Sequence, residues 1–250
     1  SELQLGILIE NMRREGYELS VSAPRVVMKK DEEGKVLEPL EEVVIDVGQE
    51  HSGQIIEKMS SRKGELQDFT QTDDGKARLK FRIPMRGLIG YRSELQNDTR
   101  GTGIMNNIFH SYVPWVGHID RSEKGAIISS AEGVITSHAL ETIEQRGILF
   151  VEPGMKCYSG MVIGEHSRDG DLEVNPAKTK QLSNVRSVNK EERVKLTPPK
   201  IMSLEEVIAY VREDEIIEVT GKSIRLRKIE LDAGKRKQME KQKNNARKGL

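Results

Sequence analysis

Apolar residues recur along this chain with two periods, one helical and one strand-like. Near the start, Leu5, Leu8, Ile9 and Met12 fall on one face of a helix, with Asn11, Arg13 and Arg14 opposite. Gly16 stops that helix, and Tyr17 to Val21 alternates as a strand does. The pair is too small to own a core, and the helix opens without a capping signal, as expected of a cut through a larger protein. Asp31-Glu32-Glu33-Gly34-Lys35 reads as a polar hairpin or linker. From Leu40 the pattern gives a strand (40–47), a helix (52–61), two strands (65–72 and 77–84), a helix (88–97) and a strand (103–113). That is the order of the ferredoxin-like split βαβ unit. In the third of these strands Ala77, Leu79, Phe81 and Ile83 form an apolar face while Arg78, Lys80 and Arg82 form a charged one. One face is core; the other meets solvent or RNA.

The second half predicts strands at 126–130, 147–151 and 160–165 around a helix at 139–145. Ser203-Leu204-Glu205-Glu206 is a capping box, opening a helix whose Leu204, Val207, Ile208 and Val211 share a side. Residues 216–219 and 223–226 read as a hairpin about Thr220-Gly221. Between 167 and 195 there is little periodicity, and a loop of that length is more often functional than structural. Residues 232–248 carry few apolar side chains and read as a frayed basic helix or a disordered segment. The expected fold class is therefore α+β, a ferredoxin-like domain followed by a β-rich α+β C-terminal domain. The expected boundaries are 1–33 for a remnant, 34–114 for the ferredoxin-like domain and 115–250 for the last domain.

Composition sharpens this picture in three ways. At 250 residues the chain suits two domains and a fragment of a third. Its apolar runs, such as Leu5-Gly6-Ile7-Leu8-Ile9, fall short of the roughly 18 residues of a membrane span, so no membrane partner is expected. Cys157 is the only cysteine, which excludes an internal disulfide and fits a reducing compartment. With no basic-then-apolar leader, a cytoplasmic protein is expected. The formal charge is zero but segregated. Residues 1–174 hold 21 Lys or Arg against 29 Asp or Glu, and 201–220 hold one against six; residues 175–200 hold seven against two, and 221–250 hold eleven against three. Such asymmetry is the footprint of a phosphate-binding surface.

Catalytic patterns are not found. Gly221-Lys222-Ser223 lacks the glycine that a phosphate loop needs at position 216, which is Ile. His51, His110, His118, His138 and His166 show neither H-x-x-x-H spacing nor a cysteine partner, so a zinc site has little support. Cys157 reads as a small packed thiol, and Asp73-Asp74 and Glu191-Glu192 as solvated turn charges. No catalytic residue, metal or cofactor is assigned, and the chain is not expected to be an enzyme.

The run Pro84-Met85-Arg86-Gly87-Leu88-Ile89-Gly90-Tyr91-Arg92-Ser93-Glu94-Leu95, continued by Asp98-Thr99-Arg100-Gly101-Thr102-Gly103, resembles the strand-helix-strand stretch of elongation factor G's fifth domain. In detail it is similar to the BipA/TypA family of translational GTPases. Residues 1–19 resemble the end of that family's third domain, with Gln4 where a histidine is expected. Ser203-Leu204-Glu205-Glu206, Glu218-Val219-Thr220 and Ser223-Ile224-Arg225-Leu226-Arg227-Lys228 resemble the domain peculiar to the family. The resemblance implies a parent protein with GTP and magnesium in an upstream G domain, and none in this chain. It further implies partners in the ribosome, through ribosomal RNA of both subunits, and in transfer RNA, with roles in stress and cold response and in large-subunit assembly. The family's last domain offers a basic loop to the acceptor end of a transfer RNA, and the matching positions are Lys178, Lys180, Gln181, Ser183, Asn184, Arg186 and Ser187. Lys and Arg would supply charge there, and Asn, Gln and Ser hydrogen bonds that position without reading sequence.

Arg225, Arg227 and Lys228 join these as expected RNA contacts on an ordered strand, with 241–250 fraying. The loop 175–194 is expected to carry the main contact and to be mobile without RNA. A monomer is expected. The competing readings are a free-standing RNA-recognition module, weakened because Phe81 lies opposite the charged strand face, and a protein-interaction scaffold with a solubilising tail.

Overall fold

The computed structural model describes residues 2–119, 124–179 and 195–248. The chain opens with α1 (Glu2–Arg14), β1 (Leu19–Ser22) and β2 (Lys29–Lys30). Then come β3 (Val36–Gly48), α2 (Ser52–Ser61), β4 (Glu65–Gln71), β5 (Lys76–Pro84), α3 (Met85–Leu88), α4 (Tyr91–Asp98) and β6 (Ile104–Pro114). The second half holds β7 (Ala126–Ser129), β8 (Gly133–Val134), α5 (Ser137–Ile143), β9 (Gly147–Leu149), β10 (Lys156–Cys157), β11 (Met161–His166) and β12 (Leu172–Val174). It closes with α6 (Leu204–Tyr210), β13 (Glu215–Val219), β14 (Ile224–Lys228) and α7 (Ala233–Lys248).

Two compact units result, one of residues 24–122 and one of 1–23 with 123–250. In the first, the antiparallel order is β4-β5-β3-β6, with β2 paired to the start of β3. Strict alternation puts Val43, Ile45 and Val47 of β3 on the same face as Ala77, Leu79, Phe81 and Ile83 of β5, in the register Val43↔Phe81 and Ile45↔Leu79. Against that face pack Ile55 and Met59 of α2 together with Leu88, Tyr91 and Leu95 of α3 and α4. Both helices therefore cover one side, as the split βαβ order predicts. The single helix expected at 88–97 is instead two, because Gly90 takes the left-handed φ of 76° and turns the chain between them. Gly87 is needed for a different reason: a Cβ there would stand 2.6 Å from the carbonyl oxygen of Arg62.

The second unit is a seven-stranded sheet, β1-β13-β14-β11-β7-β12 with β9 also on β11, beside the small β8–β10 pair. The sheet is covered on both faces. Ile9 of α1 and Leu204, Val207, Ile208 and Val211 of α6 pack with Ala126, Ile128 and Val162 on one side. Ala139, Leu140 and Ile143 of α5 pack with Ile127, Met161 and Ile163 on the other. This explains why β7 and most of β11 are continuous apolar runs rather than alternating ones.

Residues 1–23 do not stand apart as the expected 1–33 remnant. β1 pairs antiparallel with β13, Leu19 opposite Val219, and the Arg13 guanidinium donates to the Thr220 carbonyl at 2.6 Å. A bare β13 would leave an unpaired sheet edge, and β1 satisfies it while Ile9, Leu19 and Val21 join a core they could not build alone. Residues 115–117 stay with the first unit, where Trp115 N donates to Val36 O, Val116 N to Glu38 and the Gly117 carbonyl accepts from Arg86. The expected boundaries at 33/34 and 114/115 thus fall at 23/24 and 122/123.

Candidate nucleic-acid interface

The charged face of β5 is the first place to look for free cations. There Arg78 makes two hydrogen bonds to Asp46, at 2.7 and 3.1 Å, and Lys80 pairs with Glu42 at 3.0 Å. Arg82 lies across from Glu42 on one neighbour and Glu65 on the other. Arg78 and Lys80 are thus held in cross-strand ion pairs, and the Arg82 Nε is buried without a hydrogen-bond partner among the described residues, so little of the face's positive charge is presented to phosphate. It presents no aromatic on β5 either, since Phe81 is fully buried beneath it.

The basic loop begins in a firmly held segment. After β12, Ser130 N and Oγ both donate to the Val174 carbonyl, at 2.7 and 2.9 Å, and Asn175 Oδ1 accepts from Ala177 N. Thr136 then holds the next turn twice, its N–H donating to Pro176 O and its hydroxyl to Lys178 O at 2.7 Å. That same hydroxyl caps α5 by accepting from Ala139 N. Lys178 is left with its backbone fixed and its side chain exposed. Lys180, Gln181, Ser183, Asn184, Arg186 and Ser187 lie outside the described residues, as does the expected mobility of 180–194. On the far side Leu196 packs on the α5 core, Thr197 N donates to Glu144 at 3.0 Å and Lys200 N to Leu149 O at 2.8 Å. The two ends of the basic segment are therefore fastened at the two ends of α5, about 12 Å apart along its axis at 1.5 Å per residue.

Of the three strand cations, Lys228 is not an RNA contact in this fold. Only 1% exposed, it places its ammonium 2.9 Å from Asp171, 3.0 Å from Asp214 and 3.3 Å from Glu215. Burial alone would lower the Lys228 pKa, but Glu215, Asp214 and Asp171 together raise it, so the ammonium stays charged. Burial holds the Glu215 carboxyl above the usual carboxylate range. Arg227 is also engaged: its Nε donates to Glu218 at 2.6 Å, its Nη1 donates to Lys228 O, and Tyr158 OH reaches the same carboxylate at 2.8 Å. Arg225 is half-buried, opposite Glu218 in register. Of the set sought on β14, Arg227 and Lys228 thus belong to a structural network. A sequence signal existed for part of it, because a hairpin turning at Thr220 to Ser223 places Glu215 across from Lys228.

Sequence reasoning also missed the Glu38–Arg86 pair. Glu38 is fully buried and takes both guanidinium bonds, at 2.5 and 3.1 Å, tying β3 to the start of α3, and the same pair holds the segment after β6 through Val116 N and the Gly117 carbonyl. The Gly221-Lys222-Ser223 stretch is a hairpin turn closed by Thr220 N donating to Ser223 O at 2.9 Å, not a helix start, so its amides do not cradle a phosphate. Cys157 is packed in the α5-side core. A cleft of about 370 Å³ between α1 and α6 is lined by Glu10, Arg14 and Glu205, a mixture that does not suit a polyanion. Among the described residues no His, Cys, Asp and Glu group is arranged for a metal, and no helix is long and apolar enough to cross a membrane.

Two family models match. The TypA/BipA C-terminal domain covers residues 124–233, and the elongation factor G C-terminus covers 35–122. Similar curated proteins include the large ribosomal subunit assembly factor BipA of Bacillus subtilis, 49% identical over 98% of this chain and 40% of its own length. Its counterpart in Synechocystis is 46% identical over 91% of the chain and 38% of its length, and that of Haemophilus influenzae 43% over 94% and 38%. The chain therefore spans about two fifths of the relatives it matches.

Proposed function

Because the chain belongs to the TypA/BipA family, we propose that it is the ribosome-binding, non-catalytic C-terminal region of a translational GTPase that serves large-subunit assembly. The observation that carries this reading is the 49% identity with a large ribosomal subunit assembly factor across nearly the whole chain. GTP and magnesium belong, on this reading, to a G domain in the rest of the parent protein, and this chain supplies affinity and placement. Stress and cold response would follow from the same ribosome contact, made by a monomer in the cytoplasm.

The contact surface is assigned to the loop that starts at Lys178. Lys178, Lys180 and Arg186 would meet phosphates of ribosomal RNA or of a transfer RNA acceptor end, with Gln181, Ser183, Asn184 and Ser187 hydrogen-bonding sugar and backbone oxygens. The paired state of Arg78, Lys80, Arg227 and Lys228 supports the choice, since each already has a carboxylate within ion-pair distance. The test is the triple substitution Lys178→Glu, Lys180→Glu and Arg186→Glu, with binding to purified large subunits measured against salt. Three phosphates neutralised on a single strand give a log–log slope of about two. The slope should fall by about those two units and affinity at least tenfold, while the melting temperature holds, since exposed charges alter stability by about 0.5 kcal/mol or less. Parent-like binding by the triple variant would sink the assignment.

A further inference from the structure

Helix α7 carries seven Lys or Arg against one acidic residue, Glu240. Its first turn is fixed to the sheet. Asp232 accepts from Lys235 N at 2.7 Å through its side chain and from Arg236 N at 3.0 Å through its carbonyl. The Arg236 guanidinium donates to the carbonyls of Glu230 and Leu231, at 2.7 Å each, and pairs with Glu173 of β12. Beyond that root the described side chains are in solvent: Lys237, Glu240 and Lys241 are exposed, and so is Met239. Among the described residues, no carboxylate stands within ion-pair distance of Lys235, Lys237 or Lys241.

Such a helix is costly to hold alone. Lys237 and Lys241 are like charges four apart, which repel along one face, and no apolar stripe packs it against the core. A protein groove would need anchors at helical spacing, and α7 offers Met239 with only alanines besides. A polyanion is the chemistry it complements. Its root also matters, because Glu173 lies on β12, the strand that runs directly into Asn175 to Lys178. The two basic elements share one footing.

We infer that α7 is a second RNA contact, a basic arm clamped at its first turn by Arg236 and laid along the phosphates of double-helical RNA. The inference rests on the RNA-binding reading above and extends it from the loop to an arm rooted beside it. Lys235, Lys237 and Lys241 supply charge to the phosphates, and Arg236 acts as a positioning residue. RNA binding also stiffens the helix by removing its internal repulsion.

The test measures binding of a labelled short RNA duplex to the whole chain across a salt series, with helix content followed by circular dichroism. Lys235→Gln, Lys237→Gln and Lys241→Gln together should lower the salt slope by about two to three units, weaken binding at least tenfold and abolish the gain in helix signal on adding RNA. A control with Lys30→Gln, Lys63→Gln and Lys124→Gln, which removes equal charge elsewhere, should keep the parent slope within about half a unit. Glu173→Met separates positioning from simple charge: it removes a negative group, so electrostatics alone predicts tighter binding, whereas loss of the clamp predicts weaker binding with melting of the core unchanged. If the α7 variant binds as the parent does while the Lys178, Lys180 and Arg186 variant does not, the arm is a solvated tail and the loop reading stands. Competition by polyglutamate equal to that by RNA would make α7 an acidic-protein site and overturn the inference. A parent chain that binds no RNA removes both readings at once.

Discussion

Replacing Lys228 with methionine should cost about 3 to 5 kcal/mol, because three carboxylates then face one another with no cation between them and Glu215 is fully buried. The pH dependence tests the cause. Burial already holds the Glu215 carboxyl above its ordinary range, and losing Lys228 drives it higher. A carboxyl whose folded pKa exceeds its unfolded one favours the fold at low pH and loses that stability as pH rises through the folded value. The deficit in melting temperature of Lys228→Met should therefore narrow as pH falls from about 7 to about 5; a deficit constant over that interval would place the damage in packing instead. Glu94 shows the opposite sign. Burial would raise it, but Lys58 and Arg62 outweigh burial and hold it below the usual range. Its stability is present above the unfolded carboxylate pKa and lost as pH falls through the folded one, so Glu94→Gln should flatten the acid limb of a urea-midpoint series. At this scale sequence reading was weakest. Lys228 and Arg227 sit at strand positions that look the same whether they face a phosphate or a carboxylate, and Asp171 comes from a distant turn with no local signal.

Elements were easier to read where one face alone is buried. The alternation in β5 and β3 gave the core face of the first unit directly, with Phe81, Leu79 and Ile83 fully buried. Where both faces are buried, as in β7, periodicity vanishes and only the apolar run remains. The break between α3 and α4 was hidden because Gly90 looks like a helix-packing glycine until its backbone is seen to be left-handed. Composition left 232–248 open between helix and disorder; the fold has a helix, α7, as far as Lys248, and 249–250 lie outside the described residues. The deciding contact, Arg236 to Glu173, spans 63 residues. One glycine gives a clean test of strand pairing. A Cβ on Gly147 would lie 1.8 Å from the Glu165 carbonyl, so Gly147→Ala must push β9 off β11, and thermal unfolding should show a loss of about 2 kcal/mol or more. A parent-like melt would mean that β9 contributes nothing to the sheet. Thr136→Ala removes both the α5 cap and the hydroxyl that holds Lys178 O, and should cost about 1 kcal/mol as well as weakening RNA binding.

For the whole molecule the informative quantity is how charge is distributed. A net charge of zero conceals acidic segments at 1–174 and 201–220 and basic segments at 175–200 and 221–250, which are held by Thr136 at Lys178 and by Glu173 at Arg236. The two-unit organisation and the ferredoxin-like order were legible from periodicity, while the place of residues 1–23 was not, because the strand that β1 pairs with lies about two hundred residues further on. On the proposed function this chain carries ribosome affinity of its own. Sedimentation of the purified chain with isolated large and small ribosomal subunits tests it most directly. The expected result is saturable binding to large subunits that weakens steeply with salt and needs no GTP. A chain that stays in the supernatant at low salt, or binds only when nucleotide and the rest of the parent protein are supplied, would contradict it.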